Sequence, residues 1–322
     1  MIEEVLPGIF RVEVPLFNNP LQSVNSYIIK GRDRNLVVDT GMDREECAKA
    51  LFAAFTELGI DMGETDFFIT HLHVDHLELV FKIASGTSRV YFNNPDREIL
   101  DDEGSWEEAI RCAAQNGFPT IELRKTLKIY ANSIFKFIND VKFTILKEGD
   151  KINTGNHEFK CLETPGHTPG SMCLYEDREN FLFSGDHILQ EVTPNISLLL
   201  ERELNPLQSY LESLDKIAAL NVDLILPGHR KAFRNPQQRI KEIKSHHRFR
   251  EEEILAILNE NAGDAYQTAS RMGWDLPLAW QEFPVFQRWF ATGEALAHLK
   301  YLESRNLVSR YEKGGKTIFT LT

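Results

Sequence analysis

The sequence contains few cysteines, no long hydrophobic run and no excess of positive charge, and each of these absences excludes a class of protein. Its four cysteines show no C-x-x-C spacing, which favours a reducing compartment over a disulfide framework. No apolar run approaches the length of a membrane span, and the acidic start, Met1-Ile2-Glu3-Glu4, differs from a secretory signal. We therefore expect a cytoplasmic protein.

Basic residues are in the minority, with 36 Lys and Arg against 48 Asp and Glu and a formal net charge of -12 at pH 7. A chain with this balance repels polyanions, so we do not expect non-specific binding of nucleic acid. Hydrophobic residues make up 42% and charged residues 26% of the chain, which are ordinary values for a globular protein. The length of 322 residues indicates one large domain with an appendage, or two domains.

Histidine, in contrast, is concentrated in one stretch, Thr70-His71-Leu72-His73-Val74-Asp75-His76, which follows the apolar run Phe67-Phe68-Ile69. Side chains repeat every second residue at the end of a strand, so His71 and His73 are expected on one side. The pair Asp75-His76 can then bind a second ion. Because histidine is a common metal ligand, this density favours a metal site over a solvated His-rich loop.

Three further stretches place a single ligand-type residue in a glycine-containing turn at a predicted strand end. His167 lies in the run T-P-G-H-T-P-G-S, Asp186 ends the run F-S-G-D, and His229 ends the run L-P-G-H. Glycine allows the backbone to approach a site closely in such turns. These three residues are therefore candidates for the same metal site.

The predicted elements form two halves that each begin with β-type runs and end in helical patterns. This order indicates an α+β protein in which two sheets pack face to face with helices outside, a four-layer αββα sandwich. We assign residues 1–239 to this catalytic domain, with a helical insertion at about residues 95–139 that forms a lid or an extra packing layer.

Residues 240–322 have a different pattern. Three helices are predicted, at Ile240 to Leu258, Asp264 to Met272 and Thr292 to Asn306, followed by a Gly-Gly hairpin. These elements indicate a small winged-helix domain. From residue 241 onward the chain has 11 basic and 11 acidic residues, a net charge of zero, which argues against DNA binding and for packing, dimerisation or substrate shaping.

The combined motifs H-x-H-x-D-H, T-P-G-H-T-P-G-S, S-G-D and P-G-H resemble the metallo-β-lactamase superfamily over about residues 5–235. The resemblance implies that His71, His73 and His167 bind a first metal ion, that Asp75, His76 and His229 bind a second, and that Asp186 bridges them. It also implies that Asp39, in the run V-D-T-G, supports the ligands from behind. The C-terminal domain is similar to the winged-helix unit of a branch with a mitochondrial endoribonuclease and fungal polyketide thioesterases.

Two divalent ions about 3.5 to 4 Å apart can share a water molecule, lower its pKa and polarise a carbonyl or phosphoryl oxygen. Asp75 is the candidate catalytic residue because it could orient the bridging hydroxide. Nitrogen and carboxylate ligands without thiolate suit zinc, and iron(II) or manganese are the alternatives.

Two residues near the motifs need separate interpretations. Glu78 follows the histidine cluster where the family usually has small residues; it could restrict the helix start, lie outward or add a carboxylate near the metals, and we favour the outward position. His187 directly follows Asp186, so it either contacts substrate or makes a structural hydrogen bond.

We therefore predict a metal-dependent hydrolase that uses a bridging hydroxide on a small ester, thioester or lactone. The alternatives are a single-strand endoribonuclease, a mononuclear-iron sulfur dioxygenase and, without catalysis, a winged-helix regulator that binds DNA. The expected partner is a small-molecule substrate, without nucleic acid or membrane, and the chain could form a homodimer.

Overall fold

The computed structural model describes residues 1–17, 19–102, 104–134 and 141–322, and its backbone contacts divide the chain into two compact units. The sheet unit contains Met1–Asp101, Ile134–Pro194 and Ser213–Ile240. The helical unit contains Asp102–Ser133, Asn195–Glu212 and Lys241–Thr322. Residues 135–140, which include the predicted end of the insertion, lie outside the described residues.

The strands are β1 (Ile2–Leu6), β2 (Ile9–Pro15), β3 (Ser23–Ile29), β4 (Asn35–Val38), β5 (Thr65–Phe68), β6 (Val90–Asn93), β7 (Phe143–Leu146), β8 (Lys151–Asn153), β9 (Glu158–Glu163), β10 (Met172–Glu176), β11 (Phe181–Gly185), β12 (Leu224–Pro227), β13 (Phe233–Arg234), β14 (Val308–Lys313) and β15 (Lys316–Leu321). The helices are α1 (Glu45–Leu58), α2 (Val74–Leu77), α3 (Val80–Ile83), α4 (Asn94–Asp101), α5 (Ser105–Gln115), α6 (Thr120–Ile134), α7 (Pro206–Ala218), α8 (Pro236–Glu260), α9 (Ala265–Ala269) and α10 (Val285–Ser304). None of the described helices is long and apolar enough to cross a bilayer.

In the described residues, the sheet unit has a seven-stranded sheet in the order β1 to β7 and a six-stranded sheet in the order β13-β12-β11-β10-β9-β8. Alternate apolar side chains of both sheets meet in one core, as expected for strands with one face inward. This core contains Ile9, Tyr27, Ile29, Leu36, Val38, Phe68, Tyr91, Leu146, Ile152, Phe159, Cys161, Met172, Leu174, Phe181, Phe183 and Leu226. The predicted α+β sandwich of two sheets is confirmed.

The parallel strands of the first sheet determine where the functional loops begin. β4 pairs in parallel with β5, and β5 pairs in parallel with β6, so their carboxyl ends lie at the same edge. In the second sheet β11 and β12 are also parallel and end at Gly185 and Pro227. Ligands bind outside the carboxyl ends of parallel strands in open sheets, and the predicted metal-binding motifs begin at these ends.

The helical unit differs from the sequence-based boundaries in two places. α10 begins at Val285, well before the predicted start at Thr292, because its first turns contain valine, phenylalanine and tryptophan, whose helix propensity is weaker than that of alanine or leucine. The backbone contacts place α4 in the sheet unit but α5 and most of α6 in the helical unit, whereas the sequence grouped all three in one insertion. The described residues after 235 form three α-helices, a short 3-10 helix at Trp280–Glu282 and the β14–β15 hairpin, with the α-helices and the hairpin in the predicted order.

Two histidines of the helical unit are buried against each other. His247 Nδ1 lies 3.1 Å from His298 Nε2, and His298 Nδ1 lies 2.9 Å from the carbonyl oxygen of Glu294. Because a carbonyl can only accept, His298 Nδ1 carries the proton and its Nε2 accepts from His247. Burial lowers the pKa of His298 to about 4 and the pKa of His247 well below its usual range, so both rings are neutral.

We expect this histidine pair to destabilise the helical unit in mild acid. The folded state favours the neutral rings. Their contribution to the free energy of unfolding is therefore complete above pH 6.5, the usual histidine pKa, and is lost as the pH falls towards 4. A pKa lowered from 6.5 to about 4 corresponds to about 3 kcal/mol for one ring. All four tryptophans belong to this unit, so urea unfolding followed by tryptophan fluorescence measures its stability.

The variant His298→Gln should be less stable than the wild type at pH 7.5 but should show a smaller loss of stability between pH 7 and 5. The exposed neighbour His246 provides the control, because His246→Gln should retain most of the wild-type pH slope. A wild-type slope in His298→Gln would contradict the assignment of the effect to this pair.

Candidate metal centre

The structure brings all seven predicted metal ligands together. Four of them lie in the loop after β5 and in the first turn of the short helix α2, which begins at Val74. The other three follow β9, β11 and β12. Most of these side chains are buried, and Asp75, with 18% of its side chain exposed, is the more accessible of the two carboxylates.

The ligands His71, His73 and His167 form what we call the triple-histidine group. His73 Nδ1 lies 3.0 Å from His71 Nε2 and 3.0 Å from His167 Nε2. Three ring nitrogens therefore converge on one point, although they come from two loops that are far apart in the sequence. A single cation at this point could interact with all three lone pairs.

The ligands Asp75, His76 and His229 form what we call the mixed group. His229 Nε2 lies 3.5 Å from Asp75 Oδ2, and His76 Nε2 lies 4.0 Å from the same oxygen. Asp186 lies between the two groups, because its carboxylate oxygens are 3.6 Å from His76 Nε2, 3.4 Å from His229 Nε2 and 3.6 Å from His167 Nε2. The bridging role that the family resemblance implies for Asp186 stays a prediction.

The outer nitrogens of the mixed group determine which nitrogen faces the centre. His76 Nδ1 lies 2.7 Å from Asp39 Oδ2, and His229 Nδ1 lies 2.7 Å from the carbonyl oxygen of Ser23. Each of these oxygens accepts a hydrogen bond, so both Nδ1 atoms carry protons when the rings are neutral. The Nε2 lone pairs of both histidines then point into the centre, as in metal-binding histidines.

His71 is oriented in the same way through the hydroxyl group of Thr70. Thr70 Oγ1 donates its single proton to Asp39 Oδ2 at 2.9 Å, so it accepts from His71 Nδ1 at 2.9 Å. Asp39 Oδ1 also accepts from the backbone N–H of Thr70 at 2.8 Å. Asp39 is therefore hydrogen-bonded to His76 directly and to His71 through Thr70, one predicted ligand from each group.

Several polar atoms at the centre are buried without a hydrogen-bond partner among the described residues. They are His76 Nε2, His229 Nε2 and Asp186 Oδ1. A buried polar atom without a partner is costly, and a cation that binds a lone pair removes this cost. Together with the absence of thiolate from the described ligand groups, these atoms fit a divalent metal with nitrogen and oxygen ligands.

The two groups differ in their protonation. Burial lowers the pKa of His73 to about 3 and the pKa of His71 well below its usual range, and neighbouring histidines add to the effect. Burial acts in the same direction on His76, but Asp39 and Asp186 outweigh it and raise its pKa well above the usual range. The mixed group therefore holds protons that a metal ion would have to displace.

Glu78 and His187 lie outside the ligand groups formed by the described residues. Glu78 is partly buried, and its carboxylate accepts a hydrogen bond from the backbone N–H of Asp43 at 3.0 Å. His187 is 1% exposed, and burial lowers its pKa to about 3, while a hydrogen bond with the backbone of Ser213 opposes the shift. This environment favours the structural interpretation of His187, and its contact with substrate stays a prediction.

Sequence reasoning missed Asp96, a fully buried carboxylate in the first turn of α4. Burial raises its pKa to about 6, against the hydrogen bonds that it accepts. The only local signal is Asn93, three residues earlier, whose Oδ1 accepts from the backbone N–H of Asp96 at 2.7 Å. That spacing indicates the start of a helix and does not reveal a link to the ligand loops.

Two facing sheets with a buried cluster of histidines and aspartates at their strand ends define a metal-binding hydrolase. The chain belongs to the Metallo-beta-lactamase superfamily, whose family model matches residues 19–229. The resemblance inferred from the four motifs is confirmed at this level.

Three curated relatives are similar over most of the chain. The probable metallo-hydrolase YqjP of Bacillus subtilis is 23% identical over 305 residues, which cover 91% of this chain and 92% of that protein. The atrochrysone carboxyl ACP thioesterase of Aspergillus fumigatus is 24% identical over 280 residues, or 84% of this chain and 73% of the relative. The acyl-coenzyme A thioesterase MBLAC2 of Bos taurus is 24% identical over 247 residues, or 70% and 79%.

A solved structure is similar over nearly the full length. The metallo-beta-lactamase family protein TTHA1429 from Thermus thermophilus has a TM-score of 0.83 at 27% identity, and the match covers 99% of this chain and 100% of that chain.

We expect Gly228→Ala to weaken metal binding, because Gly228 lies directly against the centre. An added Cβ would lie 2.6 Å from Asp186 Oδ1 and 2.8 Å from His76 Cε1, so a ligand would have to shift. We expect the zinc affinity of the purified protein, measured by competition with a chelator, to fall by about tenfold or more. Gly86→Ala is the control, because nothing lies within 4 Å of its added Cβ. Equal affinities in the two variants would contradict the crowding argument.

Proposed function

We propose that this chain is a metal-dependent hydrolase of small acyl thioesters, with one divalent ion in each ligand group. The observation that carries the proposal is the convergence of ring nitrogens in the triple-histidine group and in the mixed group, with Asp186 between them. Zinc suits these ligands best, and iron(II) or manganese are the alternatives. Esters and lactones are further substrates of the same reaction type.

Divalent ions, when bound, would supply a water of lowered pKa and would polarise the carbonyl of the substrate. The chain's own part begins with Asp75, the more exposed of the two carboxylates at the centre, which accepts the proton of the attacking water. Asp39 and the carbonyl oxygen of Ser23 hold the ligand imidazoles in one tautomer, so their lone pairs do not have to reorient during the reaction.

The thioester class rests on two of the relatives. One is an acyl carrier protein thioesterase and the other an acyl-coenzyme A thioesterase, and each matches 70% or more of this chain. Coenzyme A and acyl carrier proteins both hold the acyl group through a sulfur atom, so these substrates present the same carbonyl. A carbonyl next to sulfur is a good electrophile for an activated water, which suits the metal chemistry proposed here.

The helices and hairpin after residue 240 are, in this proposal, a winged-helix accessory domain. Its balanced charge supports a role in packing, substrate shaping or homodimer formation, without nucleic acid. We also propose a reducing, cytoplasmic location, because all four cysteines are buried as free thiols.

The test compares wild-type protein with Asp75→Asn on acyl-coenzyme A thioesters of several chain lengths, with thiol release as the measurement. We expect zinc-loaded wild type to release thiol, and Asp75→Asn to be slower by a factor of about 100 or more, because it cannot accept the proton. Asp177→Asn, which removes an exposed carboxylate in the turn between β10 and β11, should retain full activity. Metal content measured on the same samples shows whether the loss comes from the metal or from the base.

The same samples distinguish the proposed thioesterase from the three alternative functions. Cleavage of single-stranded RNA that is lost in Asp75→Asn, without thioester hydrolysis, would establish an endoribonuclease. Oxygen uptake with one iron per chain would establish a dioxygenase, and salt-sensitive DNA binding without metal would establish a regulator. Any of these results, or equal thioesterase rates in wild type and Asp75→Asn, would overturn the proposal.

A further inference from the structure

Asp96 lies outside every predicted ligand group and yet contacts both loops of the triple-histidine group. It is 0% exposed, and it sits in the first turn of α4, directly after β6. No Lys, Arg or His side chain donates a hydrogen bond to its carboxylate among the described residues. A buried carboxylate in such a position must be satisfied by neutral donors.

Those donors come from the two ligand loops. Asp96 Oδ2 accepts from the backbone N–H of Leu72 at 2.9 Å and from Thr168 Oγ1 at 2.8 Å. Asp96 Oδ1 accepts from the backbone N–H of Gly170 at 2.7 Å. Leu72 lies between two ligands of the first loop, and Thr168 directly follows the ligand of the second, His167.

The second loop approaches Asp96 so closely that only glycine fits. A Cβ at position 170 would overlap the Oδ1 atom of Asn93 and would lie 2.8 Å from Asp96 Cγ. Ser171 Oγ contacts Thr168 Oγ1 at 2.8 Å and orients that hydroxyl towards the carboxylate. The start of α4 and the T-P-G-H-T-P-G-S loop are therefore closely packed and hydrogen-bonded here, and we call this contact the junction.

This junction joins the two loops whose spacing the triple-histidine group needs. The triple-histidine group forms only if the ring of His167 reaches within 3.0 Å of His73 Nδ1. A backbone hydrogen bond of 3.0 Å from the N–H of Met172 to the carbonyl oxygen of Thr70 joins the two loops at their bases, and Asp96 joins them again beside the predicted ligands, at Leu72 and Thr168.

We propose that Asp96 is a positioning residue that sets the spacing between the two loops of the triple-histidine group. The inference rests on the proposed metal centre and assigns Asp96 no contact with metal or substrate. The removal of its negative charge and of one acceptor oxygen should therefore lower the affinity for a metal ion at the triple-histidine group and leave the affinity at the mixed group unchanged.

The variant Asp96→Asn tests this, because an amide has one acceptor oxygen and a donating NH₂ group that would face an N–H or hydroxyl donor of one loop. Metal-free wild type and variant are titrated with Co²⁺, followed by visible absorption, and with Zn²⁺ in competition with a chromophoric chelator. We expect the affinity for one equivalent to fall by about 10- to 100-fold, with an altered Co²⁺ spectrum, and the other equivalent to bind as in the wild type.

Asp66→Asn is the matched control. Asp66 is also a buried carboxylate of the sheet unit, and it accepts from the backbone N–H of Arg89 at 2.9 Å and from the side chains of Arg34 and Arg89. It contacts neither ligand loop, so Asp66→Asn should lose stability without a selective loss of one metal ion. Thermal unfolding of the metal-free proteins allows the two losses of stability to be compared.

The variant Thr168→Val removes one donor and leaves the charge of Asp96 in place. It should therefore lower the affinity for the same metal equivalent as Asp96→Asn, but to a smaller extent. It provides the test if Asp96→Asn does not fold. Wild-type affinity for both equivalents in the folded variants, or an equal selective loss in Asp66→Asn, would overturn the role of Asp96. A wild-type protein that binds no metal would overturn the metal centre as well.

Discussion

The hydrogen bond between Nδ1 of His76 and Oδ2 of Asp39, 2.7 Å long and fully buried, is the interaction on which the metal centre depends. It fixes the ring orientation and directs the Nε2 lone pair towards the carboxylate of Asp186, 3.6 Å away. The same oxygen of Asp39 accepts from Thr70, which in turn accepts from His71. One carboxylate therefore determines the tautomers of a ligand in each group, and this is how outer hydrogen bonds tune metal sites.

The sandwich provides the rigid frame for these bonds. Tyr27 of β3 packs its ring against Phe183 of the other sheet at a centroid distance of 5.1 Å. Its hydroxyl donates to the carbonyl oxygen of Pro227 at 2.9 Å, and the backbone N–H of Asn25 donates to the carbonyl oxygen of Gly228 at 2.7 Å. The loop that carries His229 is thus held by a strand of the opposite sheet. A core packed at this density does not allow the loop to drift, so the position of the ligand follows from the packing of the sheets.

The sequence predicts the ligands because each lies in a motif of a few residues. Histidines two residues apart after an apolar run, and single ligands in glycine turns, can be recognised without knowledge of the fold. Asp96 has no such signal, because its partner Thr168 is 72 residues away in the sequence. The sequence also gives no local signal that α5 and α6 group with the C-terminal segment, because this grouping depends on contacts between distant parts of the chain. The sequence places the start of α10 too late because its first turns are rich in β-branched and aromatic residues, whose intrinsic helix propensity is weak.

The balance of buried charge explains why the centre combines carboxylates with imidazoles. Asp186 outweighs burial and raises the pKa of His229 in the mixed group. His229 and His76 in turn outweigh burial and lower the pKa of Asp186, which lies between the two groups. Protons on the histidines therefore neutralise the carboxylates in the metal-free chain, and a bound divalent ion would replace those protons. The apolar core between the sheets contains none of the predicted ligands and so takes no part in this exchange of protons for metal. In small zinc-binding domains the ion supplies the folding energy, whereas here the packed sheets supply it, so the predicted ligands would already be in place before a metal ion binds.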